Sequence, residues 1–189
     1  MRTFIAGIIL AVSSATALAS EPAVSESTTE YQAEAIQDQL KSYLFTAARE
    51  GDTEILQVFI ESGYDLNTSD TKGYTALILA AYNGRGEAVN QLLAAGADPC
   101  QKDKRGNTAL MGAIFKGELR IAKTLLQAGC QIDERNNAGQ TPAMYAALFQ
   151  RTEILMELRK HGADMQAADQ FGNTPEALAT GEVTGTARR

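Results

Sequence analysis

From Tyr31 onward the apolar residues Ala33, Ile36, Leu40, Tyr43, Leu44 and Ala47 recur at steps of three and four, the spacing that lines one face of an α-helix. Further along, apolar positions come in short bursts. Leu77, Ala80 and Ala81 form one, Ala88, Val89, Leu92 and Leu93 the next, with Gly84 between them and Gly96 after them. The pattern predicts a leading amphipathic helix followed by pairs of short helices, each pair broken by one glycine and closed by another in a left-handed cap.

The pairs repeat. Gly73, Gly106, Gly139 and Gly172 stand 33 residues apart, as do Gly63, Gly96, Gly129 and Gly162, and in a third column Asp70, Asp103, Asn136 and Asp169. Four-fold recurrence in three columns defines a structural unit rather than a coincidence. A weaker earlier copy starts at Ser42. Within a unit, an acid three residues ahead of a glycine marks a tight turn, where the carboxylate bonds nearby N–H groups and glycine takes a backbone angle costly for other residues. Thr75, Thr108, Thr141 and Thr174 then stand where an N-cap belongs, with Pro142 and Pro175 at the first helical position. Gln150 stands in the column of Gly51, Gly84 and Gly117, so a positive backbone angle is expected of a non-glycine residue there.

The residues Gly73-Tyr74-Thr75-Ala76-Leu77, Gly106-Asn107-Thr108-Ala109-Leu110, Gly139-Gln140-Thr141-Pro142 and Gly172-Asn173-Thr174-Pro175, with Gly96-Ala97-Asp98 and Gly162-Ala163-Asp164, resemble the ankyrin-repeat family over about residues 39–179. The resemblance implies an all-α solenoid of stacked helix pairs with projecting β-turns or hairpins. It assigns repeats to about 40–72, 73–105, 106–138 and 139–171, with a partial cap at 172–189. The family's histidine after T-P-L is replaced by Ile78, Met111, Met144 and Ala177, so the turn bonds that histidine makes are absent. Because each unit hides only one face, stability is expected from neighbour interfaces and end caps, with the weakest packing toward the carboxyl end.

Charge and composition narrow the function. With 17 basic against 23 acidic residues, a formal charge of -6 and no Lys/Arg block, a nucleic-acid partner is not expected. One histidine and two cysteines are too few for a structural zinc site, and no metal or other cofactor is expected. At the amino terminus, Arg2, the apolar run Phe4 to Val12 and the small residues ending Ala17-Leu18-Ala19 have the order of a cleaved export signal. The run is about half the roughly 20 residues needed to cross a bilayer, and no later segment reads as membrane-spanning. The expected organisation is a signal peptide at 1–19, cut after Ala19, a flexible leader at 20–30, and a repeat domain at 31–189. Cleavage removes Arg2 and no acid, leaving 16 basic against 23 acidic residues, a net -7, on a protein expected in the periplasm. Export puts Cys100 and Cys130 in an oxidising compartment. A disulfide between them and two separately buried thiols both remain open.

Candidate chemistry is sparse. His161 falls just before a helix-ending glycine, where an exposed helix-end role is expected. Gly84-Arg85-Gly86 lacks the strand and spacing of a phosphate loop and reads as the interhelix turn. Glu153 and Glu157 lie one helical turn apart on a face that also carries Arg151 and Lys160, which favours a solvated surface over a carboxylate pair. The methionines at 111, 144, 156 and 165 sit mostly in core or helix columns. No catalytic residue is assigned.

In the resembled family, partners usually bind the turn tips and the exposed side of the first helix. Those columns here hold Lys72, Tyr74, Tyr82, Lys104, Arg105, Asn107, Phe115, Lys116, Leu148 and Phe149, a concentration of rings and cations in an aromatic-poor, acidic chain. Tyr82, Phe115 and Leu148 are 33 residues apart; they either pack between successive first helices or form a ladder of binding anchors. The expected role is a non-enzymatic adaptor for another protein. Two alternatives use the same face: an immunity-type inhibitor of a secreted toxin, and a stress-protective partner of an envelope enzyme such as catalase, which the resemblance to exported bacterial ankyrin-repeat proteins implies.

Overall fold

The computed structural model describes residues 26–183; the expected signal at 1–19 and the first part of the leader lie outside them. The chain divides into two units, Met1–Ala35 and Ile36–Arg189. The described part of the first is helical.

Helix α1 (Glu26–Glu50) starts five residues before the apolar pattern begins, so residues 26–30, placed in the leader above, are helical. That stretch has no large apolar residue for a periodicity to register. Extending a helix already nucleated downstream costs little per residue. Among the described residues eight short helices follow: α2 (Thr53–Glu61), α3 (Ala76–Tyr82), α4 (Gly86–Ala94), α5 (Ala109–Lys116), α6 (Leu119–Leu126), α7 (Pro142–Leu148), α8 (Thr152–Lys160) and α9 (Pro175–Thr180). Among the described residues there is no strand, and of the expected β-turns or hairpins the projections are turns. Ser69 and Thr75 form one isolated antiparallel bridge.

Each first helix is started by a threonine. Thr75, Thr108, Thr141 and Thr174 have extended backbones, and their hydroxyls accept N–H bonds from Ile78, Met111, Met144 and Ala177 at 3.2–3.4 Å. The residues replacing the family's histidine thus still close the first turn through their backbones. The second helices α4, α6 and α8 have no side-chain cap. Their leading residues reach across the stack instead: Arg85 Nε donates to Arg49 O at 2.9 Å and Arg151 Nη2 to Phe115 O at 3.0 Å.

Stacking is set by columns of matched size. Ala47, Ala80, Ala113 and Ala146 are all buried and let successive first helices approach closely. Phe59, Leu92, Leu125 and Leu158 fill the matching column of the second helices. Near the carboxyl end, Met144, Ala147, Ala167 and Leu178 form a separate small cluster, so the last interface rests on fewer large side chains.

The turn tips repeat one arrangement. Asp103 Oδ1 accepts N–H bonds from Arg105 and Asn107, both at 2.8 Å, and Asp70 does the same for Lys72 and Tyr74. Asn136 keeps this arrangement without a charge, accepting from Ala138 and Gln140. Neighbouring tips are joined by backbone: Lys104 N–H donates to Lys72 O and Asn137 N–H to Arg105 O, each at 2.9 Å. That closeness explains the glycine column. At Gly106 φ is +80°, and a Cβ would meet Asn137 N at 2.7 Å.

Cys100 and Cys130 are disulfide-bonded, with Cα atoms 5.5 Å apart, which closes the question left open by sequence. The bond ties the loop after α4 to the loop after α6. At the interhelix position Gln150 has φ 55°, the one positive φ of a non-glycine among the described residues.

Candidate protein-binding groove

The 33-residue period brings a ring to the same place near the ends of two successive first helices, α3 and α5. Tyr82 closes α3 and Phe115 lies near the end of α5; their rings stack 5.8 Å apart at 10° between planes. The sequence pattern puts Leu148 next in this series. The ring that meets Phe115 is Phe149, one residue further, at 4.7 Å and edge to face. Leu148 is 42% exposed beside it. Tyr82 also lies over Gly112, where a Cβ would meet it at an ordinary contact distance of 3.7 Å.

These rings line a groove of about 620 Å³, whose walls include Lys72, Tyr74, Tyr82, Arg105, Asn107, Phe115 and Phe149. Of the predicted binding residues, Lys104, Lys116 and Leu148 fall outside that lining. Lys116 nonetheless sits beside it, with Nζ 5.0 Å from the centre of the Tyr82 ring. Lys104 is exposed at its turn tip. Tyr82 and Phe115 are 41% and 38% exposed, so stacking on each other leaves both open to a partner.

Two groove-side residues, Arg49 and Tyr145, have no place in the sequence reading, and two others, Asp103 and Asn136, enter it only as turn residues. Tyr145 O–H donates to Asn107 Oδ1 at 2.9 Å, and Asn136 Nδ2 donates to the same oxygen at 3.0 Å. Asn107 Nδ2 in turn donates to Asp103 Oδ2 at 3.3 Å. Burial holds the Tyr145 phenol above its usual range, with Asp103 adding to this, while the Asn136 bond and Arg105 oppose it. The phenol therefore stays a neutral donor. A signal for Tyr145 exists in its column, Thr46, Leu79, Gly112, Tyr145 and Leu178, where it brings the one ring.

Elsewhere the candidate positions are structural. His161 is exposed at the end of α8, with Nδ1 2.8 Å from Glu157 O. Glu157 is held below the usual carboxylate range first by its bond from Lys160 and also by Lys123. Glu153 is exposed, and Met111 and Met144 are fully buried. Among the described residues no group of three or more His, Cys, Asp or Glu is placed to hold a metal ion. No described helix is long and apolar enough to cross a membrane.

Comparison with known proteins gives one family. The model described as Ankyrin repeats (3 copies) matches residues 44–136 and 110–184. No curated protein matches the chain.

Proposed function

The chain belongs to the ankyrin-repeat family, and on that premise we propose that it is an exported, non-enzymatic adaptor that binds another protein in the groove floored by Tyr82, Phe115 and Phe149. The observation that carries this reading is the continuity of the rings: three successive repeats contribute to one contacting series, and its first two members remain about two-fifths exposed. Large aromatic side chains with little conformational freedom are the usual anchors of protein interfaces. Fold alone names no partner.

Export to the periplasm is supported by the order of charged, apolar and small residues through Ala19 and by the Cys100–Cys130 bond, which an oxidising compartment sustains. Within this reading the proposed binding residues are Lys72, Tyr74, Tyr82, Lys104, Arg105, Asn107, Phe115, Lys116, Leu148 and Phe149.

The test is crosslinked co-purification from the native envelope fraction, run in parallel with the chain and with a Tyr82→Ala, Phe115→Ala variant. A partner captured by the first and lost by the folded second supports the groove. Equal capture by both sinks it. The captured protein also assigns the role: a toxin indicates immunity, a catalase indicates protection against peroxide.

A further inference from the structure

The groove has a sign as well as a shape. Arg49, Lys72 and Arg105 line it, Lys116 lies over the Tyr82 ring, and Lys104 stands at the neighbouring tip. Among the described residues ion pairs engage Lys41, Lys102, Lys123, Arg159 and Lys160, and none of these five groove cations. The lining also holds two acids, Asp70 and Asp103, and their Oδ1 atoms are taken by N–H groups of their own turns. A chain with formal charge -6 thus gathers cations that make no ion pair among the described residues around the contacting rings Tyr82, Phe115 and Phe149.

We infer that the groove takes an acidic, extended segment of a partner protein, with apolar or aromatic side chains set between its carboxylates. This rests on the groove being the binding surface. In an extended segment alternate side chains recur about every 7 Å, close enough to the ring steps of 5.8 and 4.7 Å to lay successive apolar groups along the floor. The intervening carboxylates lie on the segment's other face, so Lys72, Lys104 and Arg105 attract them through the local field of the turn side rather than by paired contacts. Outside these five cations the chain carries 12 basic against 23 acidic residues, so the remainder is acidic on balance and local attraction favours this face. Single-stranded nucleic acid also pairs rings with cations, but its phosphates continue beyond the groove onto acidic surface, which disfavours it.

The experiment uses the folded, disulfide-bonded chain and fluorescence anisotropy with three probes: a twelve-residue peptide alternating Asp/Glu with Phe/Leu, the same peptide with Lys for each acid, and a twelve-nucleotide oligothymidylate. The acidic peptide should bind at least tenfold tighter than either other probe. Its affinity should fall at least tenfold between 50 and 500 mM salt, because exposed charges are screened. Lys72→Glu with Lys104→Glu, both exposed, should weaken it at least tenfold without changing the melting temperature. Failure of the acidic peptide to bind, equal binding of the lysine peptide or the oligonucleotide, or indifference to the charge reversal overturns the inference. If the envelope partner is lost by Tyr82→Ala, Phe115→Ala yet fully kept by Lys72→Glu, Lys104→Glu, the groove stands and its acidic ligand falls.

Discussion

Tyr82 and Phe115, one repeat apart in sequence, lie ring upon ring at 5.8 Å while each keeps about two-fifths of its surface in water. The pair therefore belongs partly to the stack and partly to the solvent. An aromatic pair of this kind adds about 0.5–1.5 kcal/mol beyond its buried area. Replacing both with Ala should weaken partner binding by at least about 2 kcal/mol, the scale of an interface anchor. Thermal melting and titration calorimetry on the same preparation separate the effects. A large fall in melting temperature with unchanged affinity would assign the rings to the stack alone.

The disulfide closes a loop between residues 30 apart in sequence. On the chain-entropy account, closing a loop of that length stabilises by about 3–4 kcal/mol. Cys100→Ser with Cys130→Ser, or the native chain in reductant, should shift the urea midpoint down accordingly. Identical midpoints with and without reductant would show that the bond does not constrain the unfolded chain.

Gln150 holds φ 55° where Gly51, Gly84 and Gly117 occupy the same column with φ between 71° and 83°. A side chain in the left-handed region costs about 1 kcal/mol, so Gln150→Gly should raise stability by about that amount. A denaturation curve in which the variant is equal or weaker refutes the strain.

Asp169 gives a pH dependence whose sign follows from its surroundings. Burial alone would raise its carboxyl, but bonds from the Asn173 side chain and backbone and from the backbone of Phe171 and Gly172 outweigh it and hold the carboxyl below its usual range. A depressed carboxyl contributes stability that is present above its unfolded value of about 3.9 and is lost as pH falls through the folded value. Asp169→Asn keeps an acceptor for the turn, as Asn136 does naturally. The melting temperatures of parent and variant should therefore differ at pH 7 and converge as the pH falls through the folded value of the carboxyl. A constant gap across that range would contradict the assignment.

The solenoid was readable because its determinants are local and periodic. Thr75, Thr108, Thr141 and Thr174 each cap a helix within three residues, and Gln150 announced its backbone angle by standing among glycines. The start of α1 escaped because a helix extended through Glu26–Glu30 leaves no apolar signature. The groove was readable only in outline. A 33-residue period fixes which positions recur but not which neighbour a ring turns toward, so Leu148 was placed where Phe149 makes the contact. Tyr145 and Asn136 met at Asn107 through bonds spanning 38 and 29 residues, which no column of one repeat encodes.

The disulfide also divides the chain by how it would carry a mechanical load. Pulled from its two ends, the chain transmits tension from Cys100 directly to Cys130 through the sulfur bridge, and the segment 101–129 between them bears none of it. Roughly 100 Å of contour stays hidden from extension. That shielded stretch contains α5 and α6 together with Lys104, Arg105, Asn107, Phe115 and Lys116. The middle rung of the groove and most of its cations are therefore bypassed by forces that would draw out the repeats on either side.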